Sequence, residues 1–162
     1  MESSNREQLV RDLGIGMREF MARAVLFQDA VARYAGLNSA DLQTVGLLME
    51  RGPCTPGELA QHIGMTSGGS ITAVVDRLER AGYVTRRRDE EDRRRVLVEV
   101  DVGKVMREVG PVYGRVAARF DDYLATLSDA ELRSGADLIR HAAVLNREEG
   151  ERLRRERRGP AD

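Results

Sequence analysis

The sequence is poor in residues that cross-link a chain or bind metals, with one cysteine and two histidines among 162 residues. A lone cysteine, Cys54, excludes an intrachain disulfide. His62 and His141 are too few for a structural zinc site, so we expect no metal and no cofactor. We expect Cys54 to be buried or incidental. A redox sensor is the alternative, but nothing in the sequence around Cys54 indicates a depressed pKa.

Long apolar runs are also missing. No stretch approaches the ~18 consecutive apolar residues of a transmembrane helix, so we expect no membrane span. The N-terminal stretch is polar and has no signal-peptide core, which predicts a cytoplasmic protein. No nucleophile–base pair, facing carboxylate pair or nucleotide-binding loop is recognisable, so we expect a protein that is not an enzyme.

The charge that is present is nearly balanced, with a formal net charge of −1 and 33% charged residues. This balance argues against coating nucleic acid by bulk charge, but it leaves room for a local basic patch. Lys104 is the one lysine, so nearly all the positive charge is arginine. Arginine binds phosphates and guanine edges in a bidentate manner. A GC-rich genome would give the same composition.

Helical periodicity and capping signals divide the chain. Gly14 and Gly16 each weaken the first helix by about 1 kcal/mol, which predicts loose or broken first turns. Gly110-Pro111 predicts a break or kink in a later helix. Helices are predicted over residues 5–36, 39–50, 56–63, from Thr66 or Ser67 to about 80, over 102–123 with that break, and from 129 to near 158.

Between these helices lie two predicted strands, Tyr83 to Arg88 and Arg95 to Val100, joined by a charged tip at 89–94. We call this hairpin the wing. Three short helices followed by a hairpin are the pattern of a winged helix-turn-helix. The predicted fold is therefore mainly α with a small β-hairpin. Its parts are an N-terminal dimerisation helix (1–36), a DNA-binding domain (37–100), and C-terminal dimerisation helices with a charged tail (101–162).

The third short helix, at about 68–80, is the predicted recognition helix. Ile71, Val74, Val75 and Leu78 form one buried stripe. The opposite side carries small residues and hydroxyls, which allow close approach to phosphates and base edges. The predicted DNA-binding residues of this helix and the turn before it are Ser67, Gly69, Ser70, Thr72, Ala73 and Arg77. A flexible loop or an ordinary helix cap is the alternative for residues 67–70.

The wing carries six arginines and four acidic residues between positions 85 and 95, a local excess of two positive charges (6 − 4). Asp92 stands two residues before Arg94 and can hold its guanidinium extended. An extended arginine suits a narrow, electronegative minor groove. We therefore predict DNA contacts by Arg86, Asp92, Arg93 and Arg94. A solvated hairpin that pairs its own charges is the alternative.

These features together resemble the MarR (multiple-antibiotic-resistance regulator) family of bacterial transcription factors, over nearly the whole chain. The residues that carry the resemblance are Leu59-Ala60 with Ile63, Ser70-Ile71-Thr72, Val75-Asp76-Arg77-Leu78-Glu79, Gly82-Tyr83-Val84 and Asp92-Arg93-Arg94. The chain departs from the family pattern at Val100-Asp101, at Gly110-Pro111, and at Gly14 and Gly16.

The resemblance implies a sequence-specific regulator, usually a repressor, that binds a pseudo-palindromic operator in double-stranded DNA as a homodimer. It implies that Asp92 orients Arg94 toward the minor groove, and that Ser70, Thr72 and Arg77 face the major groove or its phosphates. It also implies a small aromatic or phenolic effector in a cleft beside the dimer helices. Phe27 and Tyr34 are suggested there by aromatic character alone.

Two alternatives stay open at this stage. The chain could be a non-catalytic protein-interaction module with a winged-helix shape, although a wing without arginine would fit that function better. The terminal helices could also pack on their own chain instead of on a second copy. Their apolar faces flank the DNA-binding core in sequence, which favours a dimer.

Overall fold

The computed structural model describes residues 2–63 and 68–158, and the chain is mainly helical with one β-hairpin. The elements in chain order are α1 (Glu2–Tyr34), α2 (Ser39–Arg51), α3 (Pro56–Ile63), α4 (Gly68–Arg80), β1 (Val84–Arg88), β2 (Val96–Val100), α5 (Val102–Glu108), α6 (Gly110–Leu124) and α7 (Asp129–Arg158). The predicted order of helices and strands is confirmed. No described helix is long and apolar enough to cross a membrane.

The first helix differs from the prediction. We expected loose or broken turns near Gly14 and Gly16, but α1 is continuous from Glu2 to Tyr34. A glycine costs a helix about 1 kcal/mol, and good helix formers on both sides compensate for a loss of that size. The second expected interruption is confirmed, because α5 ends at Glu108 and α6 begins at Gly110.

Capping side chains fix where two of the helices start. The Asn38 side chain accepts a hydrogen bond from the Asp41 backbone N–H at 2.9 Å. The Asp41 carboxylate in turn accepts a hydrogen bond from the Asn38 backbone N–H. Before α7, Ser128 and Glu131 form the same reciprocal arrangement. These boxes satisfy backbone N–H groups that the first helical turn leaves unpaired, which is why the sequence located both helix starts.

The recognition helix α4 passes into the wing through a tight turn at Gly82. Its φ of 75° lies in the left-handed region that favours glycine. The Tyr83 N–H donates to the Leu78 carbonyl and the Gly82 N–H to the Glu79 carbonyl, both at 2.9 Å. This pair of bonds is the Schellman motif that ends many helices. The turn sets the direction in which β1 leaves α4.

The wing is an antiparallel hairpin in which Val84 pairs with Val100 and Arg88 with Val96. One element at the base of the wing was not predicted from the sequence. Cys54, between α2 and α3, forms a β-bridge to Val98, with backbone hydrogen bonds of 3.2 and 2.8 Å. The wing is therefore bonded to the helix-turn-helix through its backbone.

The chain forms two compact units, Met1–Pro111 and Val112–Asp162. The core of the first unit is formed by the end of α1, α2, α3, α4 and the base of the wing. Its most buried large side chains include Val31, Val45, Leu48, Leu59, Ile71, Val75, Leu78, Tyr83 and Val98. The second unit contains nearly all of α6 together with α7.

Candidate nucleic-acid interface

The recognition helix α4 is anchored by its apolar stripe. Ile71, Val74, Val75 and Leu78 are at most 3% exposed, and the helix packs on α2 and α3. The opposite side, with Thr72 and Ala73, faces outward. Gly69 and Ser70 lie in the first turn of α4, but Ser67 falls outside the described residues. Thr72 and Ala73, the exposed positions described near the start of α4, are therefore both small.

Arg77, a predicted DNA contact, is held by a buried acid. Its Nη2 donates to Asp41 Oδ1 at 2.7 Å and its Nε to Asp41 Oδ2 at 3.2 Å. The Asp41 side chain is 4% exposed, whereas that of Arg77 is 40% exposed. The hydrogen bonds that Arg77 donates to Asp41 raise the pKa of Arg77. This bidentate pair ties α4 to the N-terminus of α2.

Replacing Asp41 with asparagine is expected to lower the free energy of unfolding by about 1–3 kcal/mol, because the Arg77 guanidinium loses its charged partner. Denaturant unfolding at fixed protein concentration measures the change. Asp137→Asn is a matched control, since Asp137 pairs with Arg140 at 3.1 Å on an exposed surface and should matter little. An Asp41 effect as small as the control would contradict a structural role for this pair.

Arg86, another predicted DNA contact, reaches back from β1 to the recognition helix. Its Nη2 donates to Asp76 at 2.6 Å, and its Nη1 donates to Glu79. Burial acts to lower the pKa of Arg86, but the hydrogen bonds to Asp76 and Glu79 outweigh it, so the pKa is raised. The guanidinium is thus engaged by two carboxylates of α4.

The hairpin tip differs from the expectation in one contact. The Asp92 carboxylate accepts a hydrogen bond from the backbone N–H of Arg94 at 3.0 Å, and not from its guanidinium as expected. An aspartate two residues before an N–H is well placed for this local turn. The Arg95 N–H also donates to the Asp92 carbonyl at 2.8 Å. Asp92 therefore shapes the loop that carries Arg94.

The wing arginines fall into two groups. In the first group, Arg86 is bound by Asp76 and Glu79, Arg87 by Glu99, and Arg95 by Glu58 and Asp89. In the second group, Arg88, Arg93 and Arg94 form no ion pair within residues 4–63 and 71–156, and all three are exposed. We call these three the tip arginines. They are the cations of the wing without an acidic partner in the described part of the chain, and of the three Arg88 donates through Nη1 to the Arg93 carbonyl at 2.7 Å.

The acidic partners of Arg77 and Arg95 could not be predicted from the sequence. Asp41 and Arg77 are 36 residues apart, and Glu58 and Arg95 are 37 apart. No helical or strand periodicity relates residues at such separations, so only the packing of α4 on α2 and of the wing on α3 brings them together. Arg88 lies outside the Asp92-Arg93-Arg94 motif that carries the resemblance, so it was not among the predicted contacts.

Other predicted features lie elsewhere. Cys54 is 8% exposed and its thiol donates to the Gly52 carbonyl. Burial, with the nearby Glu58 charge, raises the pKa of this thiol, which favours the unreactive protonated form.

Phe27 is half-buried and Tyr34 is 70% exposed, both on α1. No cluster of three metal-binding side chains occurs among the described residues.

The second unit contains an apolar groove of about 870 Å³ between α6 and α7. Phe120, Tyr123 and Ile139 line it and are each more than half exposed. Glu131 and Arg140 contribute its charged lining. Large apolar side chains of α6 and α7 are therefore grouped around one groove and left exposed, and grouped apolar residues of this kind mark interaction sites.

Comparisons with known proteins identify relatives of this chain. A family model described as the MarR family matches residues 35–95. The HTH-type transcriptional regulator YcgE of Bacillus subtilis is 37% identical over 147 residues, which cover 91% of this chain and 90% of that protein. YkoM, an HTH-type regulator of the same organism, is 31% identical over 88 residues, covering 52% and 56%.

Solved structures share the fold. Streptococcus pneumoniae FabT, in complex with DNA, superposes with a TM-score of 0.65 at 16% identity, over 85% of this chain and 97% of that one. A MarR family protein from Bacillus stearothermophilus gives a TM-score of 0.63 at 24% identity, over 89% and 97%. The winged helix-turn-helix architecture of these proteins is the architecture described above.

Proposed function

This chain belongs to the MarR family of DNA-binding transcriptional regulators, and from that premise we propose that it binds a pseudo-palindromic operator as a homodimer and represses transcription in the cytoplasm. The observation that carries the proposal is the set of tip arginines. They are exposed and have no acidic partner among the described residues, and they project from a wing that is bonded to the recognition helix.

We assign the major groove to α4. Small side chains at its exposed positions let the backbone approach DNA closely, and Thr72 and Ala73 can meet base edges or a thymine methyl group. Ser67, Gly69 and Ser70 at the start of the helix are proposed to approach phosphates. Arg77 acts in this proposal by holding α4 against Asp41. The small number of long side chains implies that DNA shape and water carry part of the specificity.

We assign the minor groove or the adjacent phosphates to the wing. Arg93 and Arg94 occupy the tip, and the Asp92 carboxylate fixes the loop through the Arg94 N–H. An arginine presented on a rigid loop loses little conformational freedom on binding. The narrow minor groove of A/T-rich DNA offers the strongest negative potential for such a residue. Arg88 adds a third cation beside them.

A second copy of the chain is the proposed cover for the exposed apolar residues. Most of these residues lie on α1, α6 and α7, outside the winged helix-turn-helix core, and they include Leu9, Val10, Leu13, Phe20, Met21, Val25, Leu26, Val116, Phe120, Tyr123, Ile139, Leu145 and Leu153. Leaving this many large apolar side chains in water is costly. Two copies would also present two recognition helices about one DNA turn apart.

Replacing Phe120 with glutamate is expected to convert the dimer to monomer. Phe120 is 58% exposed in the single chain, so the charge hardly disturbs the fold but would be buried at the interface. Sedimentation velocity measures the mass, and circular dichroism confirms that the helices persist. Arg119→Glu, at the adjacent exposed position, is the control and should leave the dimer intact. A wild-type protein with the mass of one chain would contradict the dimer.

The DNA-binding proposal is tested with fragments of genomic DNA, beginning with the region upstream of the protein's own gene, in a salt series. We expect specific binding that weakens steeply as salt rises, because cations released from DNA dominate the salt dependence. A scrambled duplex of equal length is the control. No binding to any fragment at low salt would favour the alternative, a protein-interaction module with a winged-helix fold.

Response to a small aromatic or phenolic effector belongs to the same proposal and is supported by the family alone. Phe27 and Tyr34 stay candidates for its site. A ligand of this kind would lower the affinity for the operator and raise expression from a promoter that carries it. A reporter fused to the operator distinguishes repression from activation, because deletion of the regulator raises expression in the first case and lowers it in the second.

A further inference from the structure

We propose that Arg86 is a positioning residue, which fastens the wing to the recognition helix so that the tip arginines meet DNA in a fixed relation to α4. This inference rests on the proposed function. It gives Arg86 a different role from the direct DNA contact expected from the sequence.

The geometry of Arg86 is that of a clamp between two elements. It sits in the middle of β1, opposite Val98 of β2. Its two terminal nitrogens donate to different carboxylates, Asp76 and Glu79, which stand three residues apart on α4. Residues at this spacing share one face of a helix. A planar guanidinium that bridges both carboxylates restrains the rotation of β1 about α4 as well as its distance from α4.

The charges around Arg86 argue against a phosphate contact. One guanidinium faces two carboxylates, so the cluster carries more negative than positive charge. To reach a phosphate, Arg86 would have to leave both acids, and Asp76 and Glu79 would then face DNA without compensation. The arginine side chain is 27% exposed, less than either acid. The tip arginines pair with no acid in the described part of the chain, so their binding to a phosphate would leave no carboxylate without its cation.

Strand β2 is attached to other parts of the helix-turn-helix than β1. Arg95, just before β2, donates to Glu58 of α3 at 3.1 Å. The backbone of Val98 is bridged to Cys54, in the turn between α2 and α3. The wing therefore has attachments to α3 and to that turn, and Arg86 adds the attachment to α4, the element proposed to enter the major groove.

A small rotation at the base of the wing has a large effect at its tip. The tip lies about four residues beyond Arg86, roughly 13 Å at the ~3.3 Å rise of a β-strand. A tilt of about 10° would move the tip by about 2 Å, which is enough to break a hydrogen bond to DNA. Fastening β1 to α4 therefore decides whether the tip arginines and α4 can bind the same site together.

The test is a double-mutant cycle between Arg86→Met and Arg94→Ala, measured on a duplex that the wild-type protein has selected from a random-sequence pool. We expect Arg86→Met to weaken binding about tenfold and to lower the salt slope by less than the ~0.9 per copy that a lost phosphate contact would give. We expect the loss caused by Arg94→Ala to be at least about threefold smaller in the Arg86→Met background, because a wing that is no longer fastened has already lost part of that contact.

Arg87→Met is the matched control, because Arg87 pairs with Glu99 inside the hairpin at 2.7 Å. It removes the same charge and one ion pair but leaves the wing attached to α4, so its effect and that of Arg94→Ala should multiply. The double variant Asp76→Asn, Glu79→Gln releases the clamp from the other side and should reproduce the coupling seen with Arg86→Met.

Three results would overturn the proposal, two of them from binding and one from hydrogen exchange. In the first, the salt slope falls by about 0.9 for each Arg86 removed and the affinity losses caused by Arg86→Met and Arg94→Ala multiply. That result would show that Arg86 contacts a phosphate. Unchanged binding by Arg86→Met would show that the clamp is dispensable. Amide hydrogen exchange without DNA separates the clamp from the proposed function, since Arg86→Met should speed exchange in β1 and β2. A wild-type protein that binds no DNA would contradict only the function, and equal exchange rates would contradict only the clamp.

Discussion

Replacing Arg94 with alanine is expected to weaken operator binding by about 30-fold or more. A DNA-contacting arginine contributes about 1–3 kcal/mol, and a dimer presents two wings, so the loss is about 2–6 kcal/mol. The guanidinium is exposed and pairs with no acid in the described part of the chain, so its removal should leave the fold unchanged. Fluorescence anisotropy across a salt series measures both the affinity and the number of ion contacts.

The salt series also separates a specific contact from bulk charge. Each lost phosphate contact lowers the slope of log affinity against log salt by about 0.9, so a slope lower by about two is expected if both wings touch phosphates. Arg147→Ala is the control, because Arg147 is an exposed arginine of α7 and its loss changes the net charge equally. Equal losses for the two variants would contradict a specific role for the wing tip.

Replacing Leu48 with alanine is expected to destabilise the protein by about 2–5 kcal/mol, the range for large apolar residues removed from a core. Leu48 of α2 is 1% exposed and lies in the core on which α4 packs. Met49, the next residue, is 40% exposed, and Met49→Ala should cost much less. Urea unfolding must be compared at one protein concentration, because dimerisation adds to the apparent stability. Equal losses for the two variants would contradict the core described here.

Local signals in the sequence were sufficient to predict most of the fold. The capping box at Asn38 and Asp41 and the one at Ser128 and Glu131 are made by residues three apart, so they can be read directly from the chain. The buried stripe of α4 follows from helical periodicity in the same way. The break before Pro111 follows from its fixed φ and missing N–H.

Features that depend on tertiary packing were harder to predict. The bridge between Cys54 and Val98 joins two extended segments, and Cys54 shows no strand pattern of its own. Gly14 and Gly16 suggested a weak start to α1, but helix propensity is a small term that neighbouring residues override. Both cases involve energies or contacts that a local window of sequence does not contain.

In the candidate site, too, local sequence predicts the elements, and tertiary packing decides the partners of their side chains. The sequence identified the wing and the recognition helix as the parts to examine, and it drew attention to Arg77, Arg86 and Arg94. It could not distinguish an arginine that holds the structure together from one that is free to bind an anion. That distinction needs the positions of Asp41 and Asp76, because the opposite charge that engages each arginine comes from another element.

Two copies of this chain are proposed to bind DNA together, each through α4 and its wing. Hydroxyl-radical footprinting of the selected duplex tests this claim most directly. We predict two protected regions about one helical turn, roughly 10 bp, apart, related by approximate twofold symmetry, with flanking minor-groove protection that disappears for Arg94→Ala. A single protected region, or flanking protection that persists in Arg94→Ala, would contradict the account.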